Sequence, residues 1–146
     1  MFLPNKMKAC LEYLLSQQRT PAPGGLKAFS RVLWYADFTL QRATGNPITG
    51  AVYTIREGNP YSRSVPWAID SMVSEGIIAG GNADYLAYDQ ADFRLQRTRY
   101  TNTLDQEETN ALQAAFDCVF ADGFGEGRFP AEDIRELALH NQAALG

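Results

Sequence analysis

The chain carries one histidine, His140, and two cysteines, Cys10 and Cys118, and nucleophilic or metal chemistry would have to start from these three. A serine or cysteine nucleophile needs a base within hydrogen-bond reach and a third group that orients the base. His140 stands alone near the C-terminus in a helix-forming stretch, without a nucleophile-elbow pattern, so packing or capping accounts for it. The cysteines are far apart and outside any Cys-x-x-Cys pair, which points to two buried thiols packed as small apolar groups. Such a set falls short of a zinc site.

Other chemistry-bearing patterns reduce to structural roles. The carboxylate pairs Glu107-Glu108 and Glu132-Asp133 stand where helices begin and complement the helix dipole. The glycines of "GIIAGGN" and "GFGEG" are not followed by Gly-Lys-Ser/Thr, and "GFGEG" lacks the strand and helix that frame a dinucleotide fingerprint. Arg94, Arg97 and Arg99 could meet phosphate from a strand, but alternation puts Arg97 and Arg99 on one side and Arg94 on the other. The expectation is that the protein is not an enzyme and has no catalytic residue, metal or cofactor, with nucleic-acid binding disfavoured.

The elements that must position these residues are mainly helical. Met7, Cys10, Leu11, Leu14 and Leu15 recur at helical spacing over residues 5–17. The loop "QQRTPAPGG" follows. A second helix is expected over 26–44, with Leu26, Phe29, Leu33, Ala36 and Leu40 on one face, Val32 widening it, and Gly45 as its stop. The tripeptide Gly-Asn-Pro occurs at 45–47 and again at 58–60. The two read as turns around one strand over 50–56, with Val52 and Thr54 on one side and Tyr53 and Ile55 on the other. Ser64 is expected to cap a third helix, with Val65, Ile69, Met72 and Val73 as its stripe and Gly76 as its end. A break at 80–82 precedes a hairpin of strands 85–88 and 93–100 that turns near 89–92. Asp105 and Glu108 form a capping-box pattern ahead of Leu112, Phe116, Val119 and Phe120. A last helix starts near Pro130. The fold class is mainly α with a small antiparallel β element (α+β), one compact helical domain over residues 1–146.

Composition agrees with a globular chain: 146 residues, 45% hydrophobic, net charge −4. Residues 104–136 hold nine acids and two bases, a balance of −7, against +3 for the rest. That polarity disfavours bulk nucleic-acid binding and suits a basic protein partner. No window reaches the apolar length of a membrane span, and the first residues lack signal-peptide character, so the expected compartment is the cytoplasm with no membrane partner.

The run from Val32 to Ile78 carries a distinctive combination: Tyr35-Ala36-Asp37, then Gly45-Asn46-Pro47-Ile48-Thr49-Gly50, then Tyr53, then Gly58-Asn59-Pro60 leading to Val65-Pro66. With the closing segments "LDQEETNALQAAFDCVF" and "DIRELALHNQAAL", including Leu137 and His140, it resembles the Panacea domain, the SocA-like antitoxin family, over residues 27–145. The chain departs from the family's "GPVP"-like segment, because Asn59 intervenes and "YSRS" separates Pro60 from Val65. The resemblance implies a phage-associated antitoxin of a toxin–antitoxin system. It would neutralise a cognate protein toxin, encoded by an adjacent gene, by direct protein–protein binding. The alternatives are a proteolytic adaptor that hands the toxin to an ATP-dependent protease, and a small DNA-binding regulator. On the residues themselves, Asp37 is placed to satisfy nearby loop amides. The expected partner-binding residues are Tyr53, Arg56, Asn59, Tyr61 and Arg63, since tyrosine and arginine are frequent interface anchors.

Overall fold

A computed structural model describes residues 1–17, 25–56, 59–80 and 93–121. The expected strand 85–88 with its turn, most of the first loop, the glycine-rich loop after Ala121, and the closing helix with Leu137 and His140 lie outside them. The described part is mainly helical with a small antiparallel β element: α1 (Pro4–Gln17), α2 (Gly25–Thr44), β1 (Thr54–Arg56), β2 (Asn59–Tyr61), α3 (Ser64–Ser74), β3 (Ile78–Gly80), β4 (Phe93–Leu95) and α4 (Gln106–Val119). No helix among these residues is long and apolar enough to cross a membrane.

The helices form where apolar periodicity places them. On α1, Met7, Cys10, Leu11, Leu14 and Leu15 are all buried. On α2 the inward face is Phe29, Val32, Leu33 and Ala36, with Leu40 half-buried against the same core. This helix is more enclosed than the stripe implied, since Trp34 is buried as well. It ends as expected at Gly45, whose amide donates to the Gln41 carbonyl at 2.8 Å. Leu112, Ala115 and Val119 are the buried line of α4, while Phe116 and Phe120 are half-buried and pack ring to ring at 4.6 Å. The capping box at the start of α4 forms as read: Asp105 accepts from the Glu108 amide at 2.8 Å, and Glu108 accepts from the Asp105 amide at 2.9 Å.

The third helix differs in two details. Its N-cap is Arg63, and Ser64 is its first residue. The hydroxyl that serves this end is Ser62, which is buried and accepts from the Ser64 amide at 3.2 Å. Val73 is 41% exposed, because Val65, Ile69 and Met72 already fill the inward line and Val73 falls one position past it. The helix stops at Gly76 (φ +74°), where Ile77 donates to Met72 at 2.9 Å and Gly76 to Val73 at 3.0 Å. This bond pair is the Schellman arrangement, which favours glycine at the left-handed position.

The strands are shorter than the alternation suggested, and they pair differently. The segment expected as one strand over 50–56 is a strand only at Thr54–Arg56. The second Gly-Asn-Pro does not close the element. Its Asn59 and Pro60 belong to β2, antiparallel to β1 with Ile55 opposite Pro60 and Arg56 opposite Asn59. A two-stranded sheet has only edge strands, where proline is tolerated. The expected sidedness survives: Val52 and Thr54 are exposed, Tyr53 is buried and Ile55 half-buried. Similarly, Phe93–Leu95, expected to pair with 85–88, pairs antiparallel with Ile78–Gly80, so Gly80, read as the start of a break, is the last residue of a strand. Beyond Leu95 the chain leaves the sheet and runs as a strap to a single helical turn at Thr101–Thr103.

Candidate partner-binding surface

The site grows from a buried carboxylate at the centre of α2. Asp37 is 5% exposed, and its Oδ1 accepts from the Ile48 and Thr49 amides, both at 2.8 Å. Its Oδ2 accepts from the Thr49 hydroxyl at 2.5 Å and the Tyr53 hydroxyl at 2.6 Å. A side chain of α2 thus folds the Pro47–Tyr53 segment back onto its own helix. Burial pushes the Asp37 carboxyl above its ordinary range, against the pull of its hydrogen bonds from Thr49, Tyr53 and Ile48. Burial first, and then the Asp37 charge, raise Tyr53 well above a free phenol, so its hydroxyl stays protonated and donates. The same two causes, in the same order, raise Cys10, which keeps it a thiol. Gly50 closes the turn at φ +71°, with its missing Cβ directed at the Met1 carbonyl. Leu3 donates to the Thr49 carbonyl at 2.7 Å, so the N-terminal residues lie across this turn.

The five expected partner-binding residues divide on this scaffold. Tyr53 is not a surface anchor: it is 7% exposed and committed to Asp37. The other four lie on or beside the β1–β2 hairpin. Arg56 is exposed, with its guanidinium 4.3 Å from the centre of the Tyr61 ring. Asn59 accepts from Arg31 of α2 at 2.6 Å, which ties β2 to the helix. Arg63 is exposed at the start of α3. Register places Thr54 opposite Tyr61 and Arg56 opposite Asn59, so these side chains share the outward face, while Ile55 and Pro60 face in.

Two of the three arginines considered for phosphate have other work. Arg97 donates to the Glu75 carbonyl at 2.6 Å, capping the end of α3, and Arg99 meets the Glu75 carboxylate at 3.4 Å. Glu75 also takes Lys8 at 2.6 Å, the Tyr100 hydroxyl at 2.5 Å and the Ser71 hydroxyl at 3.1 Å. The Lys8 ammonium first, and then the Tyr100 hydroxyl, hold its carboxyl down at about 2. Lys8 lies between the Trp67 and Tyr100 rings, 5.5 and 5.2 Å from their centres. Deeper in, the fully buried Glu12 accepts from the backbone amides of Arg99, Tyr100 and Thr101 at 3.0 to 3.1 Å and from the Thr101 hydroxyl at 2.7 Å. Neither acid was singled out in the sequence. The available signal was Lys8 and Glu12, charges at helical spacing beside an unbroken apolar stripe. Among the described residues no group of three or more histidine, cysteine or acidic side chains is placed to hold a metal ion.

No family model, no curated protein and no solved structure matches the chain, so neither family nor fold is assigned by comparison.

Proposed function

We propose that this protein is an antitoxin that neutralises a cognate protein toxin by binding it directly in the cytoplasm, without catalysis. One observation supports the reading above the others. The residues that carry the likeness to the Panacea domain, Tyr35-Ala36-Asp37, Pro47-Ile48-Thr49-Gly50 and Tyr53, fall on one helix and one turn, and Asp37, Ile48, Thr49 and Tyr53 meet in a single buried hydrogen-bonded cluster. A motif whose members cooperate in this way has a physical reason to exist as a unit. Its role is that of a rigid mount, and loops and turns held on a rigid mount are where binding usually resides. The mount carries the hairpin with Arg56, Asn59 and Tyr61, followed by Arg63.

The test is co-expression with the product of the adjacent gene. That product alone should arrest growth, and co-expression should restore it through a complex that survives gel filtration. Lack of toxicity in the neighbour, or of any complex with it, would sink the proposal. Neutralisation should persist in His140→Ala and Cys118→Ala proteins that remain folded. A toxin whose level collapses only when an ATP-dependent protease is present would turn the reading to the adaptor. The DNA-regulator reading draws no support from Arg97 and Arg99, which are spent on Glu75.

A further inference from the structure

The apolar side chains left in water are not scattered over this surface. Among the described residues the large exposed ones are Met1, Leu3, Val52, Trp67 and Val73. Placed singly, such residues need no account. The first four, however, gather at the turn around Gly50. The Leu3 amide donates to the Thr49 carbonyl at 2.7 Å, and the Met1 carbonyl lies against Gly50. Val52 follows two residues on, and the Phe2 and Trp67 rings meet at a steep angle with their centres 6.2 Å apart. We propose that this patch is a self-association surface, on which a second copy of the chain docks about a two-fold axis close to Trp67. The inference goes beyond the antitoxin reading and does not rest on it.

The patch is held in place before any partner arrives. Asp37 fixes Thr49, and Thr49 fixes the residues around Leu3. Trp67 is braced by Phe2 and by the Lys8 ammonium, 5.5 Å from its ring centre. Side chains ordered in advance lose little freedom on docking. A tryptophan left 48% exposed on a helix is also the residue type most enriched among interface anchors.

Charge says what covers the patch. A chain of net charge −4 repels its own copy, so a contact between copies has to fall where charge is absent. The three segments that meet here, residues 1–5, 43–55 and 64–69, contain no Asp, Glu, Lys, Arg or His. The next charges on α1 are neutralised within the chain, Lys6 by Glu108 and Lys8 by Glu75. On α3, Arg63 precedes Trp67 by one turn and Asp70 follows it by one turn. Two α3 helices crossing antiparallel at Trp67 bring the Arg63 end of one to the Asp70 end of the other. Asp70 already interacts within its own chain, so no new ion pair is invoked; the arrangement only keeps like charges apart. A two-fold contact uses one patch twice, and a neutral apolar patch is one that can face itself. The same neutrality disfavours an anionic membrane, which binds through clustered lysine and arginine. Standard interfaces engage about 20–30 residues a side, so one built around four apolar side chains is weak and belongs in the micromolar range.

The experiment is sedimentation velocity of the full chain across the micromolar range. The mass should rise from 16.2 kDa toward twice that value. Trp67 emission should move to shorter wavelength over the same range, while Trp34, already buried, contributes no change. Val52→Glu and Trp67→Glu, made separately, put carboxylates into a patch that the two-fold contact brings together, and each should weaken association by about tenfold or more. Ala114→Glu, exposed on α4, should leave it unchanged. Circular dichroism and the urea midpoint report folding. If Trp67→Glu does not fold, Val52→Glu decides, since that position is 75% exposed. A parent that stays monomeric, association that survives in the folded variants, or equal weakening by Ala114→Glu would each overturn the inference. A monomeric parent whose Trp67 is shielded instead by phosphatidylglycerol vesicles, or by the neighbouring gene's product, would assign the patch to a membrane or to that protein and overturn it as well.

Discussion

At the scale of single residues, buried and half-buried carboxylates hold the structure together. Asp37 is surrounded by donors of two kinds. The amides of Ile48 and Thr49 can only donate, whereas the hydroxyls of Thr49 and Tyr53 can also accept. Asparagine at this position can keep its oxygen toward the amides and turn its NH2 toward the hydroxyls. Asp37→Asn is therefore expected to cost about 1 kcal/mol in urea unfolding, and Asp37→Ala, which abandons every donor, about 3 kcal/mol or more. Equal costs for the two would refute this account of the cluster. Glu75 gives a pH prediction. Its carboxyl is held at about 2, below the ordinary 4.5. A depressed folded value means the stabilisation is complete above 4.5 and is lost as pH falls toward 2. The urea midpoint should fall across that window, and Glu75→Gln should flatten the fall.

At the scale of elements, the helices were legible in the sequence and the pairing of strands was not. A helix of fourteen or twenty residues repeats its apolar signal several times, and its ends are marked by local chemistry: the Asp105–Glu108 box and the glycine at Gly76. A strand of three residues repeats nothing, and its partner lies elsewhere in the chain. Alternation correctly placed Tyr53 and Ile55 inward, yet it could not tell that Asn59 and Pro60 pair back onto β1 or that Ile78–Gly80 is the partner of Phe93–Leu95. Of the candidate site, the exposure of Arg56 and Arg63 was legible beside the turn that Gly58-Asn59-Pro60 announces, whereas the strand positions of Arg56, Asn59 and Tyr61 were not. Tyr53 was misplaced as an anchor because its burial depends on Asp37, sixteen residues away. Two predictions belong here. Leu33→Ala should cost about 2–5 kcal/mol, as truncation of a buried leucine does, and Leu33→Asp should prevent folding; a cooperatively melting Leu33→Asp protein would contradict the packing of α2. Gly76→Ala meets only backbone strain, since nothing lies within 4 Å of the added methyl, and should cost about 1–2 kcal/mol. Gly50→Ala meets the same strain and also the Met1 backbone, so it should cost more and release the Leu3 amide to faster hydrogen exchange.

At the scale of the whole molecule, α1 is the element that joins distant parts of the chain. Lys6 reaches the Thr103 carbonyl and pairs with Glu108 at 2.6 Å, and Tyr13 donates to Gln113 at 2.5 Å. Lys8 crosses to Glu75 at the end of α3. Glu12 gathers the three successive amides of Arg99, Tyr100 and Thr101. These contacts bridge from 67 to 102 positions of sequence, so the first helix is stapled to the strap that leads into α4. Beyond Leu95 the strap is no strand: after a backbone bond from the Gln96 amide to the Ile77 carbonyl, Glu12 and Lys6 of α1 serve its amides at 99–101 and the Thr103 carbonyl, and its own Arg97 donates to the Glu75 carbonyl at the end of α3. Glu12 is central to this arrangement, because it is fully buried and its removal leaves three backbone amides and the Thr101 hydroxyl without their acceptor. Glu12→Ala should destabilise the protein by about 3–5 kcal/mol, the range for removing one side of a buried charged network. The loss should be global. Tryptophan fluorescence, which reports Trp34 on α2 and Trp67 on α3, and far-ultraviolet circular dichroism, which reports every helix, should shift to lower urea together. If the dichroism shifts while the fluorescence transition stays at the parent's midpoint, Glu12 secures only the strap and α4, and the described residues do not unfold as one unit.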